Sequence, residues 1–323
     1  MTADLPAATV DPTAGDPTMG SGIQPSAGSI YDLGYRHYDG PRLGRRHVLT
    51  ALLIYTLRTT YGIGRGGRAK IIPFGLAAMG VVPAVIALAI LVLARQAGEA
   101  GELLEEASPL RYDSLYGAIA QLVFLFCAAQ APELLGKDQR FHVLSLYFSR
   151  ALARSDYVIA RVGGFAIAVL LLVLTPQAIV FFGRVLSAPD VVAELGDNLP
   201  VLPAIIGQGL LTAGLLGAIA VTVSAFTPRR AYATAAIIAV IVVPPIIAQL
   251  ADEITRPELA RWAVLASAQD VLSATNAWLF DVQPDSDAVI SAALSPEIYL
   301  ATAVGAILVL GAILVRRYQR ISA

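Results

Sequence analysis

Six apolar runs divide this chain and decide what it can fold into. They cover about 71–93, 115–135, 162–183, 202–226, 231–250 and 298–315. Each is near the ~20 residues needed to cross a ~30 Å hydrocarbon core. Pro73, Pro83, Pro176, Pro244 and Pro245 lie inside them. A proline inside a span is tolerated because neighbouring helices can satisfy the carbonyls it frees. Only 15% of the 323 residues are charged, against roughly a quarter in soluble domains. Gly209, Ala213 and Gly217, and separately Ala301 and Gly305, fall at four-residue spacing, which lets helices approach closely. The expected fold class is an all-α polytopic membrane protein with six transmembrane helices.

The flanks set the orientation. Residues 1–30 are rich in Ala, Pro, Gly, Thr and Ser and carry no Lys or Arg. They lack the basic start and apolar core of a secretory signal and read as a disordered tail. Residues 31–70 are basic, and His47–Tyr61 puts Leu49, Leu52, Leu53 and Leu57 at helical spacing. An amphipathic helix with basic flanks, just ahead of a span, is expected to lie in the interface as an elbow. The run Gly62–Gly67 follows no strand and lacks the Lys-Ser/Thr pair of a phosphate loop, so it reads as a turn into the first span. With the N-terminus in the cytoplasm, the outer segments hold only Arg95, Arg111, Arg184, Arg256 and Arg261 of the 23 Lys and Arg. That bias places both termini inside, in a plasma membrane. The long outer segment 251–297 mixes polar residues with Trp262, Trp278 and Phe280, and short helices capping the outer mouth are expected there.

No ionisable residue sits at mid-span. Glu133 is the one carboxylate inside a run, at its cytoplasmic end. The deeper polar residues include Gln121, Cys127, Thr175, Gln177, Gln208, Thr212 and Thr222. Charge at depth marks proton relays and intramembrane catalysis, and neither a zincin motif nor a nucleophile elbow occurs, so the chain is not read as an enzyme. The sole cysteine, Cys127, is expected to be a buried small hydrophobe. A net charge of −1 suggests no nucleic-acid partner. Without charged pocket residues an apolar or amphiphilic substrate is expected.

The remaining feature is the segment Gly136–Gly164, too polar for lipid and too apolar for a solvated linker. A helix over 141–154 would place Leu144, Tyr147, Phe148 and Ala151 on one face, with Ser145, Ser149 and Arg150 largely off it. Arg154 follows, and Asp138 stands just ahead, where a carboxylate suits a helix N-terminus. Such a helix can lie on lipid or fit a groove on another protein, and amphipathicity leaves both open.

This segment resembles the loop after the second span of ABC transporter permeases of the type-2 exporter class. That loop typically reads Leu-x-Ser-Arg-Pro-x-Ser-Arg, then a residue pair, then Tyr-Val-x-Gly-Lys. Here Ser149-Arg150, Arg154 and Tyr157-Val158 match. Ala151 replaces Pro, Ala153 replaces Ser, and Ala160-Arg161 replaces Gly-Lys. The elbow helix, six spans and large outer segment before the last span fit the same layout. The resemblance implies a permease that pairs with a second permease, identical or related, and with two ATP-binding cassette subunits. ATP and Mg would be bound by those partners, and no cofactor by this chain. The loop 136–161 would seat on the ATPase through Asp138, Arg140, Leu144, Tyr147, Phe148, Arg150 and Arg154. The turn Thr227–Arg230 would supply Arg229 and Arg230. A competing reading is a non-transporting membrane scaffold or sensor that docks a cytoplasmic partner.

Overall fold

A computed structural model describes residues 40, 43–97, 111–141, 143–148, 152–227, 229–253 and 257–320. By contacts the chain divides into Met1–Arg42 and Leu43–Ala323; the architecture below is that of the second unit. The 1–30 tail, His142, Ser149, Arg150 and Ala151 lie outside the described residues.

Every described element is helical. In chain order they are α1 (Arg45–Thr60), α2 (Arg68–Gln96), α3 (Tyr112–Arg140), α4 (Leu144–Phe148), α5 (Arg154–Leu186), α6 (Val191–Asn198), a 3-10 turn (Leu199–Val201) and α7 (Leu202–Phe226). Then come α8 (Arg230–Glu253), α9 (Pro257–Ala263), a second 3-10 turn (Val264–Ala266), α10 (Ala268–Phe280), α11 (Asp287–Ala292) and α12 (Pro296–Arg320). The apolar runs become six helices long and apolar enough to cross a membrane: α2, α3, α5, α6 continued into α7, α8 and α12. Several outrun their apolar cores by one or two turns. α3 extends past Leu135 through Gly136, Asp138 and Arg140, and α5 begins at Arg154 rather than Val162. Asp138 therefore sits in the last turns of a span instead of ahead of a separate helix.

The core is built by α3, α5 and α7, the most buried spans. Phe126, Cys127, Phe165, Leu216 and Val221 are among its fully enclosed side chains. Cys127 is a core residue, as its setting in an apolar run suggested. The outlying helices α2, α8 and α12 carry wide uncovered apolar faces, including Ile71, Met79 and Leu93 on α2, Val243 and Ile247 on α8, and Leu308 and Val309 on α12. Faces of this extent are foreign to a monomeric water-soluble protein and ordinary for one solvated by lipid. Together with the six helix lengths they define a multi-pass helical membrane protein.

Small residues act where two helices meet. A Cβ on Gly209 would lie 2.8 Å from Leu174 Cδ2, so α7 fits against α5 there. Ala301 and Gly305 behave differently: Ala301 is exposed and no atom lies within 4 Å of a Cβ placed on Gly305. Among the described residues, that pair makes no close helix contact.

The helix expected over 47–61 forms as α1 and packs mainly along α5. Its most buried residues are Leu52, Thr56, Thr59 and Thr60, with Leu49, Leu53 and Leu57 half-buried; Thr50 and Arg58 are exposed. The threonines are accommodated because each returns its hydroxyl to the chain: Thr56 Oγ1 donates to Leu52 O (2.7 Å), Thr59 to Tyr55 O (2.6 Å) and Thr60 to Thr56 O (2.9 Å). This back-bonding lets polar residues occupy an apolar contact. The glycine run that follows is a turn, with Gly62 at φ +69°. A Cβ on Gly62 would also lie 2.6 Å from Ala69 O, so both conformation and space demand glycine there.

The α1–α5 contact supplies a test. A Cβ on Gly164 would come within 2.7 Å of both Leu53 O and Thr56 Cβ, whereas one on Gly163 meets only Leu53 Cδ1 at 3.7 Å. Gly164→Ala should lower stability by ~1–3 kcal/mol, the usual range for overpacking, and Gly163→Ala should be near neutral. Thermal unfolding in detergent micelles compares them, and equal midpoints would contradict the close α1–α5 approach.

Candidate functional site

At one end of the bundle the segment between α3 and α5 is tied to the span ends by a buried ionic and aromatic cluster. Its centre is Arg161, on the second turn of α5 and 2% exposed. The Arg161 guanidinium donates through Nη2 to Asp138 Oδ2, and Tyr157 Oη donates to the same oxygen at 2.6 Å. Arg161 also donates to Thr56 Oγ1 of α1 at 3.3 Å and to Tyr147 Oη of α4 at 3.4 Å. Its cation lies 5.4–5.8 Å from the ring centroids of Tyr55, Tyr147 and Tyr157, within cation–π range. One arginine therefore joins α1, α3, α4 and α5. Burial raises the Tyr147 hydroxyl above the ordinary phenol range, with the nearby Arg161 charge opposing; this phenol stays neutral and can accept from Arg161 at physiological pH.

Around this pair the aromatics form a second layer. Tyr157, fully enclosed, packs against Tyr147, Phe148 and Tyr318 at centroid separations of 5.5, 6.0 and 5.4 Å. Tyr318 brings in α12, and its hydroxyl accepts from Gln139 Nε2 at 3.0 Å. Gln139 Nε2 also donates to Ala225 O at 2.9 Å, and Arg317 Nε reaches the same carbonyl at 3.1 Å. Ala225 is in the last turn of α7, where carbonyls lack helical partners, so both donors cap that helix.

Two outer pairs extend the cluster. Arg45 grips Asp156 with Nε and Nη2 at 2.6 and 2.7 Å, fastening the start of α1 to the first turn of α5. The hydrogen bond and charge of Asp156 raise the Arg45 pKa. Glu133 receives Arg230 Nη1 at 2.7 Å and Arg65 Nη1 at 3.3 Å. The carboxylate that looked anomalous inside an apolar run thus anchors both the glycine turn and the start of α8.

The residues singled out from sequence separate into two groups. Asp138, Leu144, Tyr147 and Phe148 are brought together, but facing inward. Leu144 belongs to the hydrophobic core, and Tyr147 and Phe148 pack against it. The shared apolar face of this segment is thus occupied by the chain's own spans. Among the described residues of 141–154, Leu144–Phe148 is helical, Phe141 and Val143 lie in turns, and Arg154 opens α5. Arg154 lies over the Phe148 ring at 5.6 Å and donates to Gln319 O at 2.8 Å, a further tie to α12. Arg140, Arg229 and Arg230 are exposed, although Arg230 is committed to Glu133. Arg229 lies near the Tyr232 ring at 5.9 Å. Arg150 is outside the described residues. Sequence reasoning did not single out Arg161 or Phe141. Phe141 is 66% exposed beside Arg140, the outward apolar side chain of this turn. A usable signal for Arg161 was Tyr157 one helical turn earlier, which puts both on one face.

Among the described residues no group of three or more His, Cys, Asp or Glu is arranged to hold a metal ion. What this cluster can do is mechanical. It makes α4 part of a rigid knot that includes the ends of α3, α5, α7 and α12. Comparison of the chain with protein-family models and with curated proteins gives no match.

The central pair can be probed directly. Asp138→Ala leaves Arg161 charged and buried without its partner, a class of change that costs ~3–5 kcal/mol. Replacing both residues together (Asp138→Leu with Arg161→Leu) should destabilise by much less than the sum of the single changes, because no orphan charge remains. Unfolding midpoints of the three variants in micelles decide it; additive losses would mean that the two side chains do not act as a pair.

Proposed function

We propose that the chain is the membrane-spanning permease subunit of an ATP-driven transporter, an exporter of an apolar or amphiphilic substrate, driven by separate ATP-binding subunits. The observation that carries this reading is the knot around Arg161. A short helix between two spans is joined through Asp138, Tyr157 and Tyr318 to three span ends. Force applied to that segment from outside the bilayer would reach α3, α5 and α12 together. A docking partner has to move such a point to rearrange spans, and its contacts must differ between the two states it drives.

In this reading the Asp138 end and both termini face the cytoplasm of a plasma membrane, consistent with the bias of Lys and Arg. α1 is the elbow helix, with Ile54 and Tyr55 exposed on it and available to the interface. The partner surface is made by the outward side of the turn, Arg140 and Phe141, continued by Arg154 and Arg229, with Arg150 as the family resemblance implies. The apolar face of Leu144, Tyr147 and Phe148 transmits rather than binds. The functional unit contains two ATPase subunits and a second permease chain.

Co-purification from native membranes tests the reading. The tagged chain should bring down a Walker-containing ATPase identified by mass spectrometry. Phe141→Glu with Arg140→Glu should cut its recovery about tenfold, as loss of an interface anchor does, without changing the melting point of the permease. Recovery unaffected by these changes would exclude this docking surface, and a partner without ATPase activity would favour the scaffold reading. Orientation is checked separately by a reporter fused after Ala323, which should read cytoplasmic.

A further inference from the structure

At the end of the bundle opposite Arg161 lies a cavity of about 670 Å³ between α3, α8, α10 and the start of α11. This is the size of a small-molecule site. Its walls are unusual for a helical bundle. Asp270, in the first turn of α10, is 5% exposed, and Asn276, two turns later, is 8% exposed. Ser286 Oγ donates to Asp270 Oδ1 at 2.8 Å, while Asp270 Oδ2 has no hydrogen-bond partner. Asn276 spends its Nδ2 on Asp113 O at 3.0 Å and leaves Oδ1 unpaired. Both side chains line the cavity. A buried carboxylate oxygen without a donor is costly, and what both groups lack is the same thing: an N–H or O–H donor, cationic for preference.

The surrounding chemistry agrees. Among the described residues no Lys or Arg lines the cavity. The exposed carboxylates Asp285 and Asp287 belong to its rim and would concentrate cations there. Tyr116 and Phe124 of α3 contribute aromatic wall, which suits a cation with an apolar body. A bare metal ion fits poorly, since the space is far larger than an ion and no ligating group of three acids is present among the described residues.

We infer that this cavity binds a small organic ammonium, a protonated amine carrying an apolar or aromatic body. Its N–H groups pair with Asp270 Oδ2 and Asn276 Oδ1, and its body lies against Tyr116 and Phe124. As the substrate class of a permease this rests on the transport reading above. As a binding site it stands without that reading, and equilibrium binding to the purified chain without ATPase keeps the two failures apart.

Three probes of similar size decide it by titration calorimetry on the full chain in micelles at pH 7: 2-phenylethylammonium, 2-phenylethanol and 3-phenylpropionate. The ammonium should bind at least tenfold more tightly than the alcohol or the carboxylate. Asp270→Asn should erase that preference, with a loss of tenfold or more, and Asn276→Ala should weaken ammonium binding by less. Equal binding of the three probes to the unmodified chain overturns the inference, as does an Asp270→Asn protein that keeps full preference for the ammonium. If Asp270→Asn fails to fold, the probe series on the unmodified chain still decides. The rim pair Asp285→Asn with Asp287→Asn then gives a second readout: ammonium affinity should fall and lose its salt dependence, and an unchanged salt dependence counts against the site.

Discussion

The Arg161–Asp138 pair is the constraint on which this end of the molecule depends. An arginine buried to 2% exposure cannot be discharged, since its pKa lies far above any physiological pH. It must be satisfied by partners held around it. The chain meets that demand with one carboxylate from α3, hydroxyls from α1 and α4, and aromatic faces from α1, α4 and α5. These partners come from α1, α3 and α4 as well as from α5 itself, so satisfying the charge sets how those segments meet. Apolar packing alone would allow helices to slide along their axes at little cost, because lipid and leucine are similar solvents for one another. A multivalent buried ion does not permit that slide.

This explains why a five-residue helix such as α4 is ordered at all. It is too short to be stable on its own propensity, and it holds no internal salt bridge. Leu144 is enclosed by the core, while Tyr147 and Phe148 clasp Tyr157. The amphipathic pattern that invites an outward docking face is instead consumed by inward packing. Among the described residues of this segment, Arg140 and Phe141 remain outside. An apolar stripe in a sequence says that a face is buried, but not against what; only the geometry of neighbouring spans decides between self and partner.

The spans themselves were legible because lipid imposes a long, continuous apolar requirement on each crossing. All six appear near the expected positions, and the prolines inside α2, α3, α5 and α8 do not end them. The glycine turn and the short helices after α8 were legible too, from turn chemistry and from aromatics in a polar context. Span ends were harder to read. Gly136–Arg140 and Arg154–Arg161 are charged, and charge normally argues for a loop, yet here Asp138 pairs with Arg161 across two helices and Asp156 pairs with Arg45 of α1. Asp270 was missed for a related reason. The search for functional carboxylates followed the apolar runs, and α10 is not one of them. It reaches the interior because Val271, Leu272 and Thr275 are buried and Gln208 Nε2 of α7 donates to Leu272 O at 3.2 Å. Likewise, small residues at four-residue spacing marked a close approach at Gly209, where α7 meets α5, and gave no hint that Ala301 is exposed and Gly305 uncrowded.

The two polar features lie on one element. Tyr116 and Phe124, at the cavity, and Asp138, in the knot, all belong to α3, a helix of 29 residues that spans roughly 40 Å at 1.5 Å per residue. Gln121 of the same helix also lines the cavity. A rigid helix that carries a ligand wall at one end and a buried salt bridge at the other offers a direct physical link between them. A shift or rotation of α3 at the cavity would be felt at Asp138, where Arg161 and Tyr157 both donate to the same carboxylate oxygen. Under the proposed permease reading linkage requires reciprocity: a partner that moved α4 through Tyr147 and Asp138 would alter the fit of a ligand in the cavity by the same free energy that the ligand exerted on the partner. Coupling of that kind needs no charged residue at mid-span.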